Sequence, residues 1–76
     1  MKHTIVTHSY MPAQPPFDTL TEARLTLKNW VAQSLKQCKT RMGSAFKHKL
    51  SEDSYSITLG QDPRSALWTT HTIVSA

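Results

Sequence analysis

The chain has 76 residues, with nine Lys and Arg against five Asp and Glu, so its formal net charge is +4 and its isoelectric point is near 9.6. This length has room for one small core and excludes a second domain. A single cysteine excludes an internal disulfide, and no stretch approaches the roughly 20 apolar residues of a membrane span. The N-terminus lacks the apolar run of a signal peptide. We therefore expect residues 1–76 to form a single domain of a soluble, cytoplasmic protein.

The N-terminal part of the chain predicts a strand followed by a stiff connector. Residues 3–11 are rich in β-branched and aromatic side chains, which favour a strand. The strand is expected to end where Pro12 removes a backbone N–H, and Pro15 and Pro16 continue an extended, non-helical connection.

A long helix is predicted between Thr19 and Gly43. Thr19 and Glu22 form the Thr-x-x-Glu pattern of a capping box, in which both side chains satisfy backbone N–H groups of the first turn. Apolar residues then recur at spacings of three and four as far as Met42, which gives one buried stripe. Gly43 suits the left-handed conformation that ends many helices.

Residues 44–50 and 54–59 predict a β-hairpin with Glu52 and Asp53 in its turn. This turn places three pairs on one face, namely Leu50 with Tyr55, His48 with Ile57, and Phe46 with Leu59. The helix is expected to cover that face. The other face is expected to present Lys, Ser and Thr to water.

Residues 66–74 predict a last strand whose register stays open. One register turns Trp68 and Val74 toward the helix; the other turns Leu67, His71 and Ile73 toward it. Both faces carry apolar residues, so we expect the outer face to be covered, and a second copy of the chain is the simplest cover. The sequence therefore favours a homodimer that associates through or near this strand.

The element order β-α-β-β-β predicts an α+β fold, with a mostly antiparallel four-stranded sheet and one helix packed on one face. The expected core comprises Leu27, Trp30, Val31, Leu35, Phe46, Leu50, Tyr55, Ile57 and Leu59.

The histidines and the cysteine carry little sign of catalytic or metal chemistry. They lack the i, i+4 helical pair and the Cys-x-x-Cys pattern of zinc sites. His48 and His71 meet across the sheet in one arrangement, near Cys38, but hydrogen-bonded structural histidines are the expected interpretation. A triad of Cys38, His71 and Asp62 is disfavoured because Cys38 lies in the apolar stripe, where a thiol is inert. We expect no metal, no cofactor and no enzymatic activity.

The most informative stretch is residues 23–51, which holds seven of the nine Lys and Arg residues and no Asp or Glu. A folded surface there has a positive potential that attracts phosphates or an acidic protein surface. Acidic residues are normally interspersed on a surface that serves only solubility. The predicted partner-binding residues are Lys28, Lys36, Lys39, Arg41, Lys47 and Lys49, with Trp68 as a candidate anchor.

Two classes of partner fit this surface. In the first, the cations steer the chain toward an acidic protein or a protein–nucleic acid complex, and Trp68, beside Tyr10 or Met11, is the buried anchor. In the second, the helix and sheet edge contact nucleic-acid phosphates. A sheet that stacks bases displays aromatic side chains outward, whereas Phe46 and Tyr55 are predicted to face inward.

In size and layout the chain is similar to the small inhibitors and adaptors that bacteriophages and mobile elements encode, including anti-CRISPR proteins. The likeness is carried by no motif, and it implies an inhibitor of a host defence complex in the host cytoplasm. Our leading hypothesis is a non-enzymatic protein that acts by occupying a partner protein's surface. Direct nucleic-acid binding is the alternative.

Overall fold

A computed structural model of the chain describes residues 2–8 and 15–76. Their element order is β1 (His3–Thr7), α1 (Leu20–Met42), β2 (Phe46–Ser51), β3 (Ser54–Thr58) and β4 (Leu67–Ser75). The strands form one antiparallel sheet in the order β1-β4-β3-β2, and α1 packs across one face. The predicted α+β fold is confirmed.

Helix α1 begins and ends where the sequence predicts. Thr19 is extended, and its hydroxyl accepts a hydrogen bond of 3.2 Å from the backbone N–H of Glu22. At the other end Gly43 has a φ of 84° and donates its N–H to the carbonyl of Lys39. Between these caps, one side of the helix is buried against the sheet at Ala23, Leu27, Val31 and Cys38.

Strand β1 is shorter than predicted. It ends at Thr7, because His8 takes a left-handed φ of 44° that breaks the extended backbone. The rest of the predicted strand, and Pro12 in the connector, lie outside the described residues. Phe17 then returns to the start of β1, where its N–H and carbonyl exchange hydrogen bonds of 2.8 and 3.0 Å with His3.

The hairpin of β2 and β3 has its turn at Glu52 and Asp53, but the predicted register is wrong by one residue. Tyr55 lies opposite Lys49 rather than Leu50, and Ile57 lies opposite Lys47 rather than His48. Because a one-residue slip exchanges the two faces of a strand, the side chains of Phe46, Lys47, His48 and Lys49 are on the opposite side from the one predicted.

The position of β2 at the edge of the sheet explains the slip. On the helix side of the sheet, Tyr55 and Ile57 of β3 are buried, whereas their β2 partners Lys49 and Lys47 are exposed, so α1 covers β3 but not its neighbour. Phe46 and Leu50 are therefore 37% and 60% exposed and do not belong to the core. Lysine tolerates this half-covered position because its long stem can cover apolar surface while its amino group stays in water.

Strand β4 follows neither of the two predicted registers, because an irregularity interrupts its pairing with β3. Ile57 pairs with Thr69 and Thr58 pairs with Leu67, which leaves Trp68 as the extra residue. Trp68 packs against the core on the helix side, together with His71 and Ile73. Leu67 and Val74 are exposed on the outer face.

The core lies between α1 and the centre of the sheet. Its buried hydrophobic members are Ile5, Ala23, Leu27, Val31, Cys38, Tyr55, Ile57 and Ile73, with Trp30, Leu35 and Leu59 packed against them. Ile5 and Ile73 are cross-strand partners at the β1–β4 pair, and both were missing from the predicted core.

Candidate interaction surfaces

The positive charge of the chain is concentrated in one region. Four of the acidic residues each lie in an ion pair with a basic residue; the pairs are Lys2–Asp18, Arg24–Asp53, Lys49–Glu52 and Arg64–Asp62. Within the described part of the chain, five basic residues have no ion-pair partner: Lys28, Lys36, Lys39, Arg41 and Lys47. Glu22 is the one carboxylate left over, so these six residues account for the net charge of +4.

The helix turns two of these cations, Lys28 and Lys39, toward the free edge of the sheet. Arg24 donates to Asp53 in the β2–β3 turn at 2.7 Å, so this side of α1 faces β2 and β3. Lys28 is one turn further along the same side, and Lys39 projects in nearly the same direction because eleven residues make about three turns. Lys36 lies further toward solvent, and all three lysines are exposed.

Strand β2 adds two lysines to this region. Cross-strand partners share a face, so Lys47 and Lys49 lie on the helix side of the sheet with Ile57 and Tyr55. The ammonium of Lys47 is 5.9 Å from the centre of the Tyr55 ring, a cation–π distance. Lys49 donates to Glu52 at 3.0 Å; this bond raises the pKa of Lys49 and lowers that of the Glu52 carboxyl.

We call the exposed set Lys28, Lys36, Lys39, Lys47 and Lys49 the basic surface. Lys28, Lys39, Lys47 and Lys49 lie on the sides of α1 and β2 that flank the seam between them, and Lys36 extends the set onto the solvent side of α1. The basic surface contains five of the six predicted basic residues. Arg41, the sixth, is also exposed, but it projects about 200° around the helix from Lys39 and so points away from this seam.

Trp68, the predicted anchor, lies in a groove on the other side of α1. The groove encloses about 460 Å³ and is lined by Thr7, Trp30, Gln33, Ser34, Gln37, Trp68, Thr69 and His71. Trp30 meets His71 edge to face, with their ring centres 6.3 Å apart. None of these lining residues carries a formal charge at neutral pH, so the groove and the basic surface differ in chemistry as well as in position.

His71 is held in the groove by two hydroxyl groups. Its Nε2 is 2.7 Å from the Ser34 hydroxyl of α1, and its Nδ1 is 2.9 Å from the Thr7 hydroxyl of β1. The side chain is only 4% exposed, and burial lowers the pKa of the imidazole. Sequence reasoning missed this pair of contacts because Ser34 and Thr7 are far from His71 in the chain, and no spacing rule connects them.

The residues considered for a catalytic triad are not brought together. The Cys38 thiol donates to the Ser44 carbonyl at 3.4 Å, and burial raises the pKa of the thiol. His71 instead contacts Ser34 and Thr7, while Asp62 pairs with Arg64. His48 and His71 lie on opposite faces of the sheet. Among the described residues no group of three His, Cys, Asp or Glu side chains is placed to hold a metal ion.

The sheet face opposite α1, which we call the open face, has no Lys, Arg, Asp or Glu among its strand residues. These strand residues are Thr4, Val6, Phe46, His48, Ser51, Ser54, Ser56, Thr58, Leu67, Thr70, Thr72 and Val74. The predicted Ser and Thr are present, but the predicted lysines are replaced by Phe46 and His48 because of the register. Hydrogen bonds of 2.8 Å join His48 to Thr58 and Ser54 to Thr72 across this face.

Comparison of the chain with protein-family models, curated proteins and solved structures gives no match. In the residues that the structure describes, no helix is long and apolar enough to cross a membrane.

Proposed function

We propose that this chain is a non-enzymatic binding protein that acts by occupying an acidic surface of a partner protein. One observation carries the proposal: within the described part of the chain, four of the five cations without an ion-pair partner belong to the basic surface, while four of the five carboxylates are taken up in ion pairs. An acidic partner gains favourable contacts there without first breaking an internal pair, since Lys28, Lys36, Lys39 and Lys47 have none.

The more specific form of the proposal is an inhibitor, encoded by a phage or mobile element, that blocks a host defence complex in the host cytoplasm. A single small domain that binds through positive charge is suited to covering an acidic surface that its target uses to bind another subunit. The partner in this form is an acidic protein or a protein–nucleic acid complex, and no cofactor is required.

Direct nucleic-acid binding is the second candidate, favoured by the unpaired cations alone. Proteins that bind single strands combine a positive track with aromatic rings on the same surface. Here Tyr55 is only 9% exposed, and Phe46 is turned to the open face, away from the lysines. The stacking element and the phosphate-binding element therefore lie on different surfaces, which favours a protein partner.

Affinity capture from the cell that encodes the chain, with and without nuclease, tests the proposal. The informative variant is Lys36→Glu/Lys39→Glu on the exposed side of α1. Its matched control is Lys2→Glu/Arg64→Glu, which changes the net charge equally but away from the basic surface. We expect the helix variant to bind its partner at least about tenfold more weakly, while the control binds like wild type.

Both variants should melt close to the wild-type temperature, since exposed charges contribute little to stability. A protein that still co-elutes after nuclease, and that the helix variant loses, supports the proposal. Equal binding by the two variants overturns it. Capture that disappears with nuclease, with an affinity that falls steeply as salt rises, supports the nucleic-acid candidate instead.

A further inference from the structure

The two edges of the sheet differ in how their backbone groups are satisfied. At the β1 edge, Phe17 exchanges two hydrogen bonds with His3, so the chain covers part of that edge itself. Strand β2 pairs with β3 on its inner side, but on its outer side no strand or bridge among the described residues pairs with Phe46–Ser51. Half of the backbone N–H and C=O groups of β2 therefore point outward, where an extended chain can pair with them.

The side chains of this free edge alternate in chemistry. Lys47 and Lys49 lie on the helix side of the sheet, the side on which α1 presents Lys28 and Lys39. Phe46 and His48 lie on the open side, and Phe46 is 37% exposed there. An added strand would thus meet lysine ammonium groups with one set of alternate residues, and the Phe46 ring and a face without Lys, Arg, Asp or Glu with the other set.

We propose that β2 accepts an extended segment of the partner protein as a fifth strand, in which acidic residues alternate with apolar ones. The acidic side chains lie on the helix side, against Lys47 and the lysines of the seam. The apolar side chains lie on the open side, beside Phe46. Main-chain hydrogen bonds supply affinity, and the alternation of side chains supplies specificity.

A second copy of the chain does not fit this edge. Two β2 strands laid side by side would bring the lysines of one copy against those of the other, and like charges on neighbouring strands are destabilising. Lysines on an edge strand are a common protection against self-pairing. The same lysines become favourable contacts when the incoming strand is acidic, so charge complementarity selects the acidic segment.

The bulge in β2 sets the length of the site. Lys49 pairs with Tyr55 and Ser51 with Ser54, so Leu50 is the extra residue and regular pairing is broken there. The regular edge is short, and the added strand makes its hydrogen bonds mainly along Phe46–Lys49. The contact to the lysines of α1 then has to come from acidic side chains on the same segment.

The inference rests on the proposed function and is tested with synthetic peptides. The probe is a capped peptide of about seven residues in which Glu and Val alternate, long enough to span the edge. The matched control has the same composition with its Glu residues contiguous. Backbone amide NMR of the whole chain reports which residues shift, and amide exchange reports whether the outward N–H groups of β2 become protected.

We expect the alternating peptide to shift the amides of Phe46–Lys49, to slow their exchange, and to bind more tightly than the contiguous peptide. Lys47→Glu should weaken its binding by about tenfold, and Lys47→Gln by less, whereas Lys2→Glu at the opposite edge should have no effect. Equal binding of the two peptides, or shifts confined to α1, overturns the inference and indicates charge attraction alone.

The peptide and capture experiments fail in distinguishable ways. One outcome is that the alternating peptide leaves β2 unchanged while wild type still captures the partner and the Lys36→Glu/Lys39→Glu variant does not. In that case the proposal of a fifth strand is wrong, and binding of the basic surface to an acidic partner protein is still supported. If the helix variant captures the partner as well as wild type does, the proposed function is wrong too.

Discussion

At the scale of single residues, His71 connects three elements of the fold. It belongs to β4, and its two ring nitrogens contact hydroxyls of α1 and β1. A neutral imidazole has one donor and one acceptor nitrogen, so two hydroxyl groups satisfy it completely. Protonation would leave a positive charge buried between Ser34 and Thr7 with no carboxylate to balance it.

His71 should therefore make the stability of the fold depend on pH. Its folded pKa is lowered, so below the unfolded-state value of about 6.5 the unfolded chain binds a proton that the folded chain does not. Stability is then complete above that value and declines as pH falls toward the folded pKa. Urea unfolding at about pH 7.5 and about pH 5.5 should show a larger loss for wild type than for His71→Gln. Equal losses would show that His71 is not the titrating group.

Gly43 provides a second test at this scale. Its φ of 84° is strained for residues with a side chain, and an added Cβ would have no heavy atom within 4 Å. Gly43→Ala should therefore cost about 1 kcal/mol of unfolding free energy through backbone strain alone. Gly43→Asn should cost less, because Asn tolerates the left-handed region. If Ala and Asn melt like wild type, Gly43 does not define the end of α1.

At the scale of elements, the β2–β3 hairpin shows where sequence patterns mislead. The helix was predictable because its caps and its apolar stripe agree with each other. The hairpin turn was also predictable, but the register depended on the assumption that Phe46 and Leu50 are core residues. That assumption fails because α1 does not cover the edge strand, and alternation alone does not show which strand is at the edge.

Two alanine substitutions distinguish the observed register from the predicted one. Ile57 is fully buried, so Ile57→Ala should cost about 2 to 5 kcal/mol. Leu50 is 60% exposed, so Leu50→Ala should change stability by less than about 0.5 kcal/mol. Denaturant melts measure both, and comparable losses at the two positions would favour the predicted register over the observed one.

At the scale of the whole molecule, charge is separated between the two sides of the sheet. The helix side carries the basic surface, and the strand residues of the open face include no Lys, Arg, Asp or Glu. The sequence predicted which lysines are exposed, because a basic stretch without acids cannot be buried. It could not predict the groove around His71 or the position of Trp68, since these depend on a bulge and on contacts between distant residues.

The predicted homodimer stays a prediction, but the structure limits which part of β4 a second copy can contact. Strand β4 lies between β1 and β3, so a second copy cannot pair along its edge. The open face, with Leu67 and Val74 exposed on β4, lets two copies meet without opposing lysines. We expect sedimentation to show self-association that rises with concentration and is lost in Leu67→Lys, whereas Leu25→Lys on the exposed side of α1 leaves it unchanged. A wild-type monomer at high concentration would contradict this.

The central place of β4 also affects how the chain reaches its folded state. Among the strands that the structure describes, β1 pairs only with β4, and this pairing joins residues such as Ile5 and Ile73 across nearly the whole chain. The helix and the β2–β3 hairpin can form from local contacts, but β1 cannot join the sheet until β4 has been synthesised. Closing so long a loop costs entropy before any contact repays it, which slows folding. During synthesis, β1 and the hydrophobic side of α1 therefore stay incompletely covered, and this is the period in which the nascent chain is most exposed to aggregation and proteolysis.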